Sequence, residues 1–374
     1  MNRRDMIKVM GSAALSLGLP GMVQAAAKSA LKPDPLYRDA IVIDGNLAAG
    51  FDDDGTLDAA TKAEVRASGL TAFKLTLGGA GNQNKEQADQ SIAQLQAGID
   101  KNSDLLMKIS SPADFAIAKK SGKIGIIFSF EAGEMQEGQV ANIDHFRDAG
   151  VLVMGLSYNK QTPFASGVMV PPDQSTGLTP LGREAVQKMN ARGVTLDVSH
   201  SDERSSLGAL EASSKPVAIT HAGCAAVHPH QRNKSDQLLR ALADKGGVIG
   251  IYNLSYLTSP PIRQPKLEDY IAHMTHALKI CGEDHVGIGS DTDFTHFDAT
   301  PENMKQWREI TAQRKAMGVA APGEGPPPYV IGLNRSDRCA VIADALRKHG
   351  YGNSTIEKVL GANFQRLFTE TWMA

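Results

Sequence analysis

Short apolar runs rich in β-branched residues recur along the chain, and four of them stop at a histidine or an acidic residue. These runs cover residues 125–131, 194–200, 216–221 and 285–291 and end at Glu131, His200, His221 and Asp291. Runs of this length predict buried strands of a parallel sheet. Each strand would carry a metal-binding or proton-transferring side chain to its carboxyl end.

Between the apolar runs, hydrophobic residues recur at helical spacing. Residues 87–99 place Ala88, Ile92, Leu95 and Ile99 on one face, which predicts an amphipathic helix. Further helices are expected at 140–149, 180–192, 203–212, 235–244 and 267–281. Strands are expected at 41–46, 70–77, 123–130, 152–157, 194–200, 216–221, 247–253 and 285–291.

This alternation of eight strands and helices predicts an α/β fold, a closed (β/α)8 TIM barrel. The alternative is an open doubly wound sheet, which would need a glycine-rich phosphate loop after an early strand. Residues 294–334 form a long insertion after strand eight that is either a candidate lid or a passive surface loop, with a helix expected around 301–317. A C-terminal helix over 354–368 is interrupted by Gly361.

The carboxyl ends of parallel barrel strands all lie at one face, so Glu131, His200, His221 and Asp291 are expected to meet there. Two imidazoles and a carboxylate can hold a zinc-like ion and leave one position open for water. Asp291 could take a proton from that water and return it to a leaving amine. The pattern therefore predicts a metal-dependent hydrolytic site.

Composition and charge narrow the possible functions. The 374 residues are 42% hydrophobic and 21% charged, which suits one large barrel or two ordinary domains. A net charge of -2 gives no reason to expect a nucleic-acid partner. Cys224, Cys281 and Cys339 are too few and too widely spaced for a disulfide framework, although one bridge is possible.

The N-terminus has the three parts of a secretion signal. Arg3 and Arg4 precede an apolar stretch and a small-residue end, so residues 1–27 resemble a twin-arginine signal. Residues 28–40 are interpreted as a linker and 41–374 as a single barrel domain. We expect a periplasmic protein with no transmembrane segment in the mature chain.

Several motifs together resemble the membrane (renal) dipeptidase family, the M19 metallopeptidases of the amidohydrolase-type barrels. The motifs are Phe130-Glu131-Ala132-Gly133, Leu196-Asp197-Val198-Ser199-His200, Ile219-Thr220-His221, His228-Pro229-His230-Gln231-Arg232-Asn233, Gly287-Ile288-Gly289-Ser290-Asp291-Thr292-Asp293 and Gly361-Ala362-Asn363-Phe364. The resemblance covers the chain from about Ile41 to the C-terminus.

The resemblance implies a zinc-dependent barrel that hydrolyses dipeptides. It assigns Glu131, His200 and His221 to metal binding, with the glutamate bridging two zinc ions. It assigns proton transfer to Asp291 and the grip on the substrate carboxylate to Arg232. Relatives in the family often dimerise, so a homodimer is possible.

Two departures from the family pattern change this expectation. Where the family has a His-x-Asp pair, this chain has Asn46-Leu47-Ala48, which removes both ligands of the first metal. One zinc ion is therefore expected rather than two. Residues 52–54, all aspartates, are more consistent with a solvated acidic loop than with replacement ligands. Tyr158 replaces a substrate-contacting histidine and could donate a hydrogen bond to an oxyanion.

Three functional hypotheses follow from these residues. The first is a periplasmic zinc hydrolase of dipeptides or related small amides, and it is the one that the sequence favours. The second is an enzyme with altered chemistry that acts in the maturation of a secreted peptide metabolite. The third is an inactive homologue that binds a ligand, which the Asn46-Leu47-Ala48 replacement supports.

Overall fold

The computed structural model describes residues 34–51, 54–258 and 262–373. Its strands are β1 (Ile43–Asp44), β2 (Leu47–Ala48), β3 (Ala72–Leu77), β4 (Leu106–Lys108), β5 (Ile124–Phe130), β6 (Val153–Gly155), β7 (Thr195–Asp197), β8 (Ala218–Ala222), β9 (Val248–Ile251), β10 (Val286–Ile288) and β11 (Thr292–Asp293). Eight of them pair in parallel and close in the order β1-β3-β5-β6-β7-β8-β9-β10. The predicted (β/α)8 barrel is thereby confirmed.

Helices surround the barrel and connect its strands. They are α1 (Pro35–Asp39), α2 (Ala59–Ala67), α3 (Lys85–Lys101), α4 (Ala113–Ser121), α5 (Ala141–Asp148), α6 (Pro180–Ala191), α7 (Glu203–Ala212), α8 (Asp236–Asp244), α9 (Leu267–Cys281), α10 (Pro301–Ala316), α11 (Arg338–Lys348), α12 (Asn353–Glu357) and α13 (Asn363–Trp372). Helix α6 begins as predicted, because the Thr179 side chain accepts a hydrogen bond from the backbone N–H of Gly182.

The strands are shorter than the apolar runs, which corrects where the site residues lie. Strand β7 ends at Asp197, and His200 lies three residues later in a turn. The Asp197 carboxylate shapes this turn by accepting hydrogen bonds from the backbone N–H and hydroxyl of Ser199, at 3.0 and 2.5 Å. His221 lies inside β8 rather than at its end. Only Glu131 directly follows its strand.

Several elements were not predicted from the sequence. The short β4 pairs with the start of β5, and the helices α2 and α4 lie in segments for which no element was expected. Helix α1 lies within the expected linker, and its buried Tyr37 donates a hydrogen bond to the Ser68 carbonyl. Residues 1–27 and the start of that linker lie outside the described residues.

The two ends of the barrel are covered differently. At the amino end, aromatic residues of α13 stack on one another and pack against the first residues of several strands. The chain bends before α13 at Gly361, where a Cβ atom would lie 2.3 Å from the Ile41 carbonyl oxygen. This close approach explains the predicted interruption. At the carboxyl end, the insertion with α10 reaches over the barrel mouth.

Two further sequence expectations concern disulfides and membrane segments. All three cysteines are free and buried, so the possible bridge does not form. None of the helices in the described part of the chain combines the length and the apolar character needed to cross a bilayer.

Candidate active site

Three of the predicted residues come together at the carboxyl end of the barrel. Possible metal-binding atoms of Glu131, His200 and His221 all lie within 4.8 Å of one another, and all three side chains are buried. Nε2 of His200 lies 3.0 Å from Nε2 of His221 and 3.3 Å from Oε2 of Glu131. Nε2 of His221 lies 3.9 Å from Oε1 of Glu131.

The hydrogen bonds of Asn159 determine which ring nitrogen of His200 carries the proton. The Asn159 amide nitrogen donates to the Val319 carbonyl at 2.8 Å, so its Oδ1 atom is an acceptor. Nδ1 of His200 lies 3.0 Å from this oxygen and therefore carries the proton. The Nε2 atom of His200 is left with a lone pair.

The same reasoning determines which ring nitrogen of His221 carries the proton. The Thr220 hydroxyl donates to Oδ2 of Asp197 at 2.5 Å, so its oxygen accepts from Nδ1 of His221 at 3.0 Å. Nε2 of His221 therefore also has a lone pair.

Both imidazoles are suited to bind a cation. Burial lowers the pKa of His200 to about 3, and the adjacent positive charge of Arg232 contributes to this shift. Burial likewise lowers the pKa of His221 well below its usual value. Both rings are therefore neutral near pH 7, and their lone pairs face each other beside the Glu131 carboxylate. A divalent ion fits this donor set, because lone pairs this close repel each other without one.

The two oxygens of Glu131 have different surroundings. Oε1 accepts hydrogen bonds from Nδ2 of Asn46 at 2.7 Å and from the Thr76 hydroxyl at 2.8 Å. The Lys74 ammonium lies 3.8 Å from the same oxygen. Oε2 instead faces Nε2 of His200. One oxygen thus accepts hydrogen bonds from Asn46 and Thr76, and the other faces His200.

Asp291 lies beside this cluster but is not one of its three members. Its Oδ1 atom accepts a hydrogen bond from Nδ2 of Asn46 at 2.9 Å, so the amide bridges Asp291 and Glu131. Burial raises the pKa of Asp291 to about 7, and the negative charge of Glu131 adds to this rise. Burial would also raise the pKa of Glu131, but the net effect of its neighbours, among them the Lys74 ammonium, holds it well below its usual range.

The backbone at Asp291 is strained. Its φ angle of 53° lies in the left-handed region that favours glycine. Its backbone N–H donates to the Asn46 carbonyl at 2.8 Å, which holds the turn between β10 and β11. Strained backbone conformations of this kind are found most often at active sites, where a side chain must be held in one orientation.

Tyr158 contacts both His200, a member of the candidate metal-binding cluster, and the insertion. Its ring stacks on His200 with the ring centres 4.0 Å apart, and its hydroxyl lies 3.4 Å from Nη2 of Arg314. Arg314 belongs to α10 and forms an ion pair with Glu324. Burial raises the pKa of Tyr158, so its hydroxyl keeps its proton at neutral pH.

Arg232 borders the cleft, with its largely buried guanidinium held against His200. Its Nη1 atom donates to the Ser199 carbonyl, and its Nη2 atom lies 3.1 Å from Nε2 of His200. The guanidinium therefore donates to the lone pair that a metal ion would need.

These residues border one open cleft of about 850 Å³ at the barrel mouth. The barrel contributes Asn46, Leu47, Ala48, Glu131, Tyr158, His200, Arg232 and Asp291, and the insertion contributes Trp307, Arg314, Glu324, Pro326 and Pro328. Asp54 is exposed and accepts hydrogen bonds from Thr56, while Asp52 and Asp53 lie outside the described residues. The cleft is open to solvent, and both the barrel and the insertion line it.

Sequence reasoning missed several residues at this site. Lys74 is fully buried in β3, and a charged residue in an otherwise apolar strand was the signal that could have identified it. Arg314 and Glu324 gave no such signal, because they reach the cleft only through the packing of the insertion.

Known proteins similar to this chain were found by sequence and by structure. A Klebsiella pneumoniae protein named "Uncharacterized protein in pqqA 5' region" is 28% identical over 290 residues, which covers 76% of this chain and 95% of that protein. "Dipeptidase tcpJ" of Claviceps purpurea is 26% identical over 281 residues. That match covers 75% of this chain but only 59% of the fungal protein.

Structural and family comparisons agree with the sequence matches. The crystal structure of an amidohydrolase from Pseudomonas aeruginosa superposes with a TM-score of 0.79 at 28% identity, covering 92% of this chain and all of that one. The family described as "Membrane dipeptidase (Peptidase family M19)" matches residues 47–320. The family predicted from the motifs is confirmed, and the chain belongs to the membrane dipeptidases of peptidase family M19.

Proposed function

We propose that this chain hydrolyses dipeptides or related small amides with one divalent ion, zinc, held by Glu131, His200 and His221. The observation that carries the proposal is the pair of neutral imidazoles whose Nε2 atoms lie 3.0 Å apart beside Oε2 of Glu131. Membership of a family of metal-dependent dipeptidases supports it. A zinc ion bound there would supply Lewis acidity that polarises a carbonyl and acidifies water.

The proposed proton acceptor is Asp291. Its pKa of about 7 allows it to take a proton from water and return it to a leaving amine near neutral pH. The Asn46 amide, 2.9 Å from Oδ1 of Asp291, holds the carboxylate in place. The tight backbone turn at Asp291 directs the side chain toward the cleft that it lines.

Tyr158 and Arg232 are proposed to bind the substrate. The Tyr158 hydroxyl keeps its proton and could donate to the oxygen that becomes negative as the amide is attacked. Arg232 would lose its acceptor on His200 once that nitrogen binds a metal ion. Its freed N–H group could then donate to the carboxylate of a dipeptide.

A second candidate function is a catalytically altered or inactive dipeptidase homologue, acting in binding or in the maturation of a secreted peptide metabolite. One observation favours it. Asn46, Leu47 and Ala48 all border the cleft, and none of them offers an anionic or imidazole ligand.

Metal analysis combined with a substrate panel separates the two candidates. The full chain is purified from zinc-supplemented medium without chelator, and its metal content is measured by mass spectrometry. We expect about one zinc ion per chain and hydrolysis of at least one member of a panel of L,L and L,D dipeptides. Less than about a tenth of an ion per chain with no turnover would contradict the enzyme.

We also propose that the chain is exported to the periplasm through a twin-arginine signal. The sequence of residues 1–27 supports this, with Arg3 and Arg4 ahead of an apolar stretch. Fractionation of bacteria that express the full chain tests it. The protein should reach the periplasm, and replacement of both arginines by lysine should keep it inside. Equal export of both forms would contradict the proposal.

A further inference from the structure

Lys74 is a fully buried lysine on the inner side of the barrel. Its ammonium lies 3.8 Å from Oε1 of Glu131 and 3.8 Å from Oδ2 of Asp197. It also donates a hydrogen bond to the Thr76 hydroxyl at 3.1 Å, on the same face of β3. A buried ammonium is costly unless carboxylates compensate its charge, so its position between two of them is specific.

Asp197 alone does not account for this lysine. The Asp197 carboxylate already accepts hydrogen bonds from the backbone N–H and hydroxyl groups of both Ser199 and Thr220, at 2.5 to 3.3 Å. A carboxylate with four such donors is well satisfied without a cation. The positive charge of Lys74 therefore compensates Glu131 as well as Asp197.

Glu131 offers only one oxygen to a metal ion because of this arrangement. Asn46, Lys74 and Thr76, which we call the donor side, all direct hydrogens at or near Oε1. The opposite oxygen, Oε2, faces the unprotonated Nε2 of His200 at 3.3 Å, and among the described residues no side chain directs a hydrogen at it. A carboxylate that bridges two ions needs a free lone pair on each oxygen.

We propose that Lys74 is a built-in cation that takes the electrostatic place of a second metal ion at Glu131. It places a positive charge 3.8 Å from Oε1 and so repels a divalent ion from the donor side. Lys74 is thus a positioning residue that limits the site to one ion. This inference rests on the proposed single-metal hydrolase and concerns the reason for its metal count.

Exclusion of a second ion by Lys74 and simple absence of its ligands predict different results when the ligands are restored. Residues 46 and 48 both border the cleft, so histidine and aspartate at these positions would present new ligand atoms beside Glu131. If the absence of ligands were the whole reason for a single ion, a histidine at position 46 and an aspartate at position 48 would create a second metal site. If Lys74 excludes the second ion, the protein with these two ligands will still bind one ion.

The test compares the metal content of four proteins at equal zinc activity after gel filtration. They are the natural chain, Asn46→His with Ala48→Asp, the same pair with Lys74→Met, and the same pair with Lys74→Arg. We expect about one ion per chain for the first, second and fourth proteins and about two for the third. Arginine keeps the charge and methionine keeps the approximate length, so the last two variants separate charge from packing.

Two results would overturn the role of Lys74. One is a second ion bound by the Asn46→His and Ala48→Asp protein, which keeps its lysine and so decides the question even if the methionine variant fails to fold. The other is a folded methionine variant that stays at one ion. A thermal unfolding curve for each protein establishes that it is folded.

The proposed function fails in a different way. A natural chain that binds two ions, or none, would contradict the single-metal hydrolase itself. A natural chain with one ion and a double variant with two would contradict only the role of Lys74.

Discussion

The two sides of the barrel mouth offer opposite chemistry to a metal ion. Glu131, His200 and His221, which we call the ligand side, present lone pairs that converge within 4.8 Å. The donor side presents an amide, a hydroxyl and an ammonium, all of which direct hydrogens at or near Oε1 of Glu131. We propose that the first set attracts a cation and the second excludes one, so that Glu131 would bind a metal ion through Oε2 alone.

The largest expected effect comes from removing a residue of the ligand side. His200→Ala leaves the ion with two protein ligands, so we expect it to be lost together with more than about a thousand-fold of kcat/KM. Metal analysis and dipeptide hydrolysis measure both. The matched control is His349→Ala, an exposed histidine at the end of α11, which should leave both unchanged. Unchanged metal content in His200→Ala would place the site elsewhere.

Asp291 is next to both sides but is proposed to move protons rather than bind metal. Asp291→Asn should lower kcat by about a thousand-fold while the zinc content stays the same. The natural enzyme should lose activity as the pH falls below about 7, because the carboxylate must be ionised to accept a proton. A variant that loses its zinc along with its activity would show that Asp291 is a ligand instead.

Tyr158, which stacks on His200 of the ligand side, tests whether a hydroxyl beside the proposed metal ion stabilises the reacting oxygen. Tyr158→Phe keeps the ring that stacks on His200 and removes the hydroxyl near Arg314. We expect about a hundred-fold lower kcat, a small change in KM and normal zinc content. An effect confined to KM would mean that the hydroxyl binds the substrate without stabilising the transition state.

Thr220 supports the ligand side from behind His221. Thr220→Val keeps the shape but removes the acceptor of the Nδ1 proton and the donor to Asp197. The zinc dissociation constant should rise by about ten-fold, as is usual when a ligand loses its orienting hydrogen bond. Competition with a coloured chelator measures it, and an unchanged constant would contradict the assigned tautomer.

Asn46 gives the smallest effect and the clearest contrast between the sides. Asn46→Ala removes a donor from both Glu131 and Asp291 but no lone pair from the ligand side. Zinc content should not change. The pKa of Asp291 should rise further, because its ionised form loses a hydrogen bond, so the acidic limb of the pH profile should move up by about one unit. Loss of zinc would make Asn46 a ligand.

The positions of the ligand-side residues could be predicted from the sequence because the barrel strands determine where those residues lie. Glu131, His200 and His221 belong to separate apolar runs, and a parallel barrel brings the ends of such runs together. This prediction required neither exact strand bounds nor knowledge of the hydrogen bonds. The three side chains lie close together even though His200 is in a turn and His221 is inside a strand.

The donor side and the insertion could not be predicted in the same way. The direction of the Lys74 side chain depends on the register of β3 against β5, where Lys74 lies opposite Ile127. The contact between Tyr158 and Arg314 joins residues 156 positions apart and depends on how the insertion folds back over the barrel. Local patterns carry no information about either.

Anomalous diffraction at the zinc absorption edge, measured on crystals of the zinc-loaded chain, would count the bound ions and locate each of them. We expect one peak, within bonding distance of Nε2 of His200, Nε2 of His221 and Oε2 of Glu131. A second peak beside Asn46 and Oε1 of Glu131, or no peak near the two histidines, would contradict it.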